Sequence, residues 1–171
     1  SRLDNKETKW NMKPIDVSTI LKNVIKKMDV NIKRKGQTIK ANIPEELPEV
    51  FADNDKIEQV FQNILSNAYK YTPEGGKIYI DVEYAEKMVK VTFKDTGVGI
   101  PKEDLPRIFE RFYRVDKTRS REMGGTGLGL SIAREIVQAH GGEISISSEL
   151  GKGTSVIIQI PAISGQLVRT N

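Results

Sequence analysis

The chain has 171 residues, 37% hydrophobic and 29% charged, which fits one soluble globular domain, and nowhere does it approach the roughly 20 consecutive apolar residues of a membrane-spanning helix. It has no Cys and one His, which excludes a disulfide framework, a thiolate metal site and clustered His ligands, so any metal must be held by oxygen. The 27 basic and 23 acidic residues leave only +4, and the one basic run, residues 26–40, has no interleaved aromatics, so it reads as a solvated helix face rather than a nucleic-acid surface.

In chain order, SRLDNKETKW has neither an initiator Met nor the basic-then-apolar order of a signal peptide, so a longer parent chain is expected, with residues 1–12 the tail of a helix and a linker. Lys13 to Val17 is predicted as a short edge strand, and Ser18 as the N-cap of a helix reaching about Lys33, with Ile20, Leu21, Val24, Ile25 and Met28 as its apolar stripe. After Gly36, strands are expected at Thr38 to Ile43 and Val50 to Ala52, on either side of a PEELP loop. Asp53 is then placed to cap a second helix running to about Lys70. On that helix Ile57, Val60, Phe61, Ile64, Leu65 and Ala68 share one stripe, while Asn63, Asn67 and Lys70 repeat at the same spacing about a third of a turn away.

Pro73, Gly75 and Gly76 break this helix. Two alternating strands follow, one presenting Ile78, Ile80, Val82 and Tyr84 on a face and the other Val89, Val91, Phe93 and then Asp95. Pro101 to Gly125 is long, charged and irregular, which in a compact domain points to a functional lid. Leu128 to Ala139 is predicted helical, stopped by His140-Gly141-Gly142. Strands at Glu143 to Ser148 and Thr154 to Pro161 are expected to close the domain, leaving 162–171 as a tail.

Three groups of residues carry chemistry. Asp95 sits at a strand end on the inward face, where a carboxylate needs donors; the amides of the following glycine turn can supply them, or else a ligand amine such as adenine's, admitted close to the backbone by Gly97 and Gly99. Gly124-Gly125-Thr126-Gly127-Leu128-Gly129-Leu130 opens a helix and is either a tight turn or a phosphate cradle; it matches neither the dinucleotide fingerprint nor a P-loop. Asn63, Asn67 and Lys70 are either a solvent-facing stripe or a set in which an amide oxygen completes a magnesium shell and Lys meets a phosphate, with Tyr71 able to stack on a base.

Asn63-x-x-x-Asn67-x-x-Lys70-Tyr71, Asp95-x-Gly97-x-Gly99, Phe109-Glu110-Arg111-Phe112-Tyr113-Arg114, Gly125-Thr126-Gly127-Leu128-Gly129-Leu130 and Gly151-x-Gly153-Thr154 occur in the order of the N, first-glycine, F, second-glycine and last-glycine boxes. Over about residues 13–161 the chain resembles the catalytic ATP-binding domain of bacterial sensor histidine kinases. The resemblance implies an α/β two-layer sandwich, the Bergerat fold, with helices on one face of a mixed, mostly antiparallel sheet and a flexible ATP lid at about 101–125. It implies ATP and Mg²⁺: Asn67 holds the metal, Asn63 supports its water shell and the phosphates, and Lys70 and Arg114 contact phosphates, Arg114 also meeting charge that develops on the transferred group. Tyr71 covers adenine, Asp95 accepts from its amine, and Ile100 and Leu130 line the pocket. Gly125, Gly127 and Gly129 shape the cradle in which amides of Thr126 to Leu128 meet phosphate, Thr154 stands behind Asp95, and Tyr113 joins the nucleotide contacts. Phe109 and Phe112 anchor the lid to the core or to a neighbouring domain.

The implied reaction moves the γ-phosphoryl group of ATP to a His on a dimerisation helix, and then to an Asp of a response-regulator receiver domain. His140, beside a helix stop, does not match that acceptor, so this chain is expected to bind ATP without phosphorylating itself. The isolated domain is expected to be monomeric and cytoplasmic, and its parent a homodimer that a membrane anchor could hold. Two other readings are a non-catalytic ATP-sensing module and an ATPase of the chaperone or topoisomerase branch. The latter is disfavoured because Asn63 stands where those enzymes have a Glu general base.

Overall fold

The computed structural model describes residues 10–113 and 129–169, with side chains as far as residue 163. Strand β1 (Met12–Ile15) leads into helix α1 (Val17–Arg34), then β2 (Thr38–Asn42), β3 (Glu46–Asp53), helix α2 (Asn54–Tyr71), β4 (Lys77–Ala85), β5 (Met88–Asp95), a 3₁₀ turn (Leu105–Arg107), helix α3 (Gly129–Ala139), β6 (Glu143–Glu149) and β7 (Gly153–Arg169). The strands form one sheet in the order β1-β3-β7-β5-β4-β2, with β6 also on β7. Only β2 and β4 run parallel; the other pairings are antiparallel. The mixed, mostly antiparallel sheet with helices packed on it is the expected fold class.

Strand alternation explains the layering. Ile78, Ile80 and Val82 of β4, Val89, Val91 and Phe93 of β5, and Val156, Ile158 and Ile160 of β7 are buried, while their neighbours Asp81, Glu83 and Lys94 are outside the core. Helix α1 adds Ile20, Leu21, Val24 and Met28, and α2 adds its whole predicted stripe, Ile57 to Ala68. Phe61 and Phe93 meet at 5.9 Å between ring centroids, tying the middle of α2 to the middle of the sheet.

Some boundaries differ from expectation. Asp16, not Ser18, caps α1: its carboxylate accepts from the Ser18 amide at 3.0 Å and from the hydroxyls of Ser18 and Thr19, so the better acceptor takes the cap. The PEELP stretch is partly strand, because β3 begins at Glu46 and absorbs Pro48 at a register shift where no ladder donor is needed. Tyr84 leaves the buried face and is 42% exposed near the end of β4. Residues 162–169 are not a tail: β7 continues to Arg169 and supplies the backbone partner that β3, buried at Leu47, Val50 and Ala52, needs on its inner side. No helix among the described residues is long and apolar enough to cross a membrane.

Candidate functional site

Helix α2 positions the first set. Asp53 caps it by accepting from the Lys56 amide at 3.1 Å, its apolar stripe fixes its rotation on the sheet, and Asn63, Asn67 and Lys70 are thereby held half-buried at the margin of the core. Asn63 Nδ2 donates to the Gly129 carbonyl at 3.3 Å, and a Cβ built on Gly129 would lie 4.0 Å from Asn67 Nδ2, so the last part of the second glycine box rests on the asparagine stripe. Among the described residues neither the Asn67 amide nor the Lys70 ammonium has a side-chain hydrogen bond or ion pair. Two polar heads without side-chain partners among the described residues, beside a glycine helix start, fit a ligand that brings oxygen atoms and negative charge.

The C-terminal end of α2 is tied down by residues that no motif marked. Gln37 Nε2 donates to the carbonyls of Tyr69 and Thr72, and Lys35 Nζ to those of Tyr69 and Lys70 at 2.8 and 3.3 Å, so the last turn's unpaired carbonyls are satisfied from the loop after α1. Thr72, before Pro73, is extended and ends the helix as expected. The Tyr71 carbonyl in turn accepts from the Val98 amide at 3.1 Å, and the Val98 carbonyl accepts from the Gly151 amide at 2.7 Å. Three motifs far apart in sequence therefore share one backbone chain of hydrogen bonds.

At the end of β5 the Asp95 carboxylate is fixed through Oδ1, which accepts from the Gly97 amide at 2.8 Å and from the Thr154 amide at 3.3 Å. Oδ2 has no hydrogen-bond partner among the described residues. Burial holds the Asp95 carboxyl above its usual range; the two amides pull it back without offsetting that. The glycines here are demanded by packing. Gly99 has φ +76° and a Cβ would stand 2.1 Å from the Glu149 carbonyl oxygen, and at Gly153, φ +132°, a Cβ would stand 2.0 Å from that of Asp95. Thr154 lies opposite Asp95 in the β5–β7 register. Ile100 and Leu130 are half-buried; the Ile100 amide donates to Ser148 Oγ at 2.8 Å, and Leu130 packs against the core.

Residues 101–113 touch β6 through the 3₁₀ turn and reach α3 through side-chain contacts. Arg111 pairs with Glu135 at 2.6 Å, and Arg134 lies 5.3 Å from the centroid of the half-buried Phe109 ring. Phe112 does not pack on the core: it is 67% exposed with φ +64°. Tyr113 donates to Asp104 and carries Arg107 over its ring at 4.5 Å, and the bond to Asp104 keeps its phenol protonated to higher pH than usual. Arg114, Gly125, Thr126, Gly127 and Leu128 lie outside the described residues.

His140 is buried behind the site. Its Nε2 accepts from the Asp53 amide at 3.1 Å, its Nδ1 donates to the Ile136 carbonyl at 2.8 Å, and its ring stacks on Trp10 at 5.0 Å. Both nitrogens are engaged.

Residues 52–164 match the family described as histidine kinase-, DNA gyrase B-, and HSP90-like ATPase. The sensor histidine kinase WalK of Bacillus subtilis (strain 168) is 44% identical over 163 residues, which are 94% of this chain and 26% of that protein. A nucleotide-free catalytic domain of histidine kinase ThkA superposes with a TM-score of 0.78 at 30% identity, over 89% of this chain and 96% of that one. Full-length ShkA in complex with AMPPNP superposes with a TM-score of 0.81 at 28% identity, over 96% of this chain and 34% of ShkA. ThkA in complex with the response regulator protein TrrA is similar with a TM-score of 0.74 at 28% identity, over 89% of this chain and 42% of that one.

Proposed function

We infer that this chain, which belongs to the family of histidine kinase-, DNA gyrase B- and HSP90-like ATPases, is the ATP-binding catalytic domain of a sensor histidine kinase. The observation that carries this is the meeting of four motifs around one end of α2: Asn63 with Gly129, Tyr71 with Val98, Val98 with Gly151, and Asp95 with Thr154.

In this reading Asp95 Oδ2 accepts from the exocyclic amine of adenine, and Gly97 and Gly99, whose Cβ positions are taken by the Tyr71 and Glu149 carbonyls, hold the turn that follows it. Lys70 and Arg114 meet the phosphates as fixed positive charge, with the amides of Thr126 to Leu128 beside them. Among the described residues no three or more His, Asp or Glu side chains gather to hold a metal. The Asn67 amide, without a hydrogen-bond partner among the described residues, fits Mg²⁺ as a single protein ligand alongside phosphate oxygens and water. The metal would neutralise phosphate charge, leaving the chain's own residues to orient the nucleotide and exclude water.

The chemical step breaks the bond between the γ-phosphorus and the bridging oxygen of ATP and forms a phosphorus–nitrogen bond on a His of the dimerisation and phosphoacceptor domain. ADP leaves and the imidazole gives up its N–H proton. Asn63 cannot act as a base, so water is not activated and transfer to a side chain is favoured over hydrolysis. From that His the group passes to an Asp of a response-regulator receiver domain. A homodimeric parent whose catalytic domain lies on the cytoplasmic side, where ATP is available, completes the reading.

The test mixes this chain, ATP labelled at the γ-phosphate and a separately produced phosphoacceptor segment. Acid-labile label should appear on that segment, and Arg114→Ala should lower transfer by more than it lowers ATP binding. ATP binding without any label on the segment would overturn the kinase reading and leave a nucleotide sensor.

A further inference from the structure

Ser148, next to last in β6, belongs to none of the five motifs. Its Oγ lies 2.8 Å from the Ile100 amide nitrogen, 2.9 Å from the Gly153 carbonyl oxygen and 2.8 Å from Thr154 Oγ1. A hydroxyl has one hydrogen and two lone pairs. The Gly153 carbonyl can only accept, so it takes the Ser148 hydrogen; the two lone pairs then accept from the Ile100 N–H and the Thr154 O–H. The opposite assignment, in which Ser148 donates to Thr154, leaves two oxygens 2.9 Å apart with no hydrogen between them. All three contacts are satisfied in one arrangement only.

We propose that Ser148 is a positioning and specificity-determining residue of the nucleotide site, acting through Thr154. By drawing the Thr154 hydroxyl hydrogen toward β6, Ser148 makes Thr154 Oγ1 an acceptor. Thr154 stands directly opposite Asp95 in the antiparallel β5–β7 register, which puts the two side chains on one face of the sheet, and its backbone amide donates to Asp95 Oδ1 at 3.3 Å. The Asp95–Thr154 pair then offers acceptors alone, and its one free carboxylate oxygen, Oδ2, is among them. Acceptors match the exocyclic amine of adenine and repel the O6 carbonyl of guanine. The same hydroxyl pins the Ile100 amide, and with it the glycine turn that follows Asp95. This rests on the proposed nucleotide site with Asp95 reading the base.

Calorimetric titration of the 171-residue chain with ADP and with GDP tests it, using Trp10 fluorescence to verify folding of each variant. Ser148→Ala frees the Thr154 hydrogen to point at the ligand, so ADP affinity should fall by about tenfold, a factor set by the loss of one hydrogen bond. GDP affinity should fall less or rise, lowering the ADP-to-GDP ratio, and Ser148→Thr, which keeps the hydroxyl, should restore it. In a Thr154→Val background Ser148→Ala should leave the ratio unmoved, since no hydroxyl remains to direct. Equal weakening of both nucleotides by Ser148→Ala, or the same ratio change with Val at 154, would overturn the proposal. If Asp95→Asn abolishes ADP binding and Ser148→Ala does not change the ratio, only the Ser148 role fails. If the unmodified chain binds neither nucleotide, the nucleotide site and the Ser148 role fail together.

Discussion

Asp95, the carboxyl proposed to read the base, works against the fold that holds it. Its carboxyl titrates above the usual range because burial outweighs the amides of Gly97 and Thr154. With the folded pKa above the unfolded one, the native state binds more protons between the two values, so Asp95 lowers stability increasingly as pH rises through that window and least below it. Asp95→Asn keeps an oxygen for both amides and removes the charge. The variant is expected to lose ADP binding yet melt above the unmodified chain at neutral pH, with the gap closing on acidification below the ordinary carboxylate range. Thermal melts across pH verify this; a variant that melts lower at neutral pH would make Asp95 structural.

At the scale of elements, the predicted apolar stripes became buried except at Ile25, which is half-buried, and Tyr84, which is exposed. The C-terminal turn of α2, which carries Lys70 and Tyr71, is closed by Lys35 and Gln37 from a different loop, so α2 is positioned from both ends. One element is suboptimal. The β4–β5 hairpin turns through Glu86 and Lys87 at φ +53° and +65°, a two-residue turn of the kind that favours Asn-Gly, built from residues that disfavour positive φ. Replacing both, Glu86→Asn with Lys87→Gly, should stabilise the chain by about 1 kcal/mol, since a left-handed conformation costs roughly 1–2 kcal/mol per ordinary residue and Gly returns part of that as unfolded-state entropy. The melting temperature should rise by about 2–4 °C, with ADP affinity unchanged because the turn is exposed and outside the site.

At the scale of the whole molecule, His140 joins α3 to the start of α2 and to the segment before β1. This ring, just past α3, accepts from the amide of Asp53, the residue that caps α2, while Asp53 Oδ2 accepts from the Asn11 amide at 2.8 Å and Trp10 stacks on the imidazole. The point where the chain enters the domain is thus clasped to both helices that carry the site. A buried imidazole with both nitrogens bonded is no phosphoacceptor. Incubated alone with γ-labelled ATP, the chain should incorporate no acid-labile label, and His140→Gln should not alter that; label lost on this substitution would reverse the assignment.

Periodicity alone located the two long helices, the β4–β5 pair and the buried stripe Ile57 to Ala68, because local spacing decides which residues share a face. The order of the five motifs likewise pointed to one site before any fold was known, through the family that the order resembles; residue chemistry by itself left two readings for each group. Capping at Asp16, strand within PEELP, the continuation of β7 to Arg169, and the parts played by Lys35, Gln37 and Ser148 were decided only by the tertiary structure. Apart from Asp16, whose partners Ser18 and Thr19 are near neighbours, each of these satisfies a donor or acceptor belonging to a distant segment. A single hydroxyl or amide has no periodicity, so its partner becomes visible only when the chain has folded.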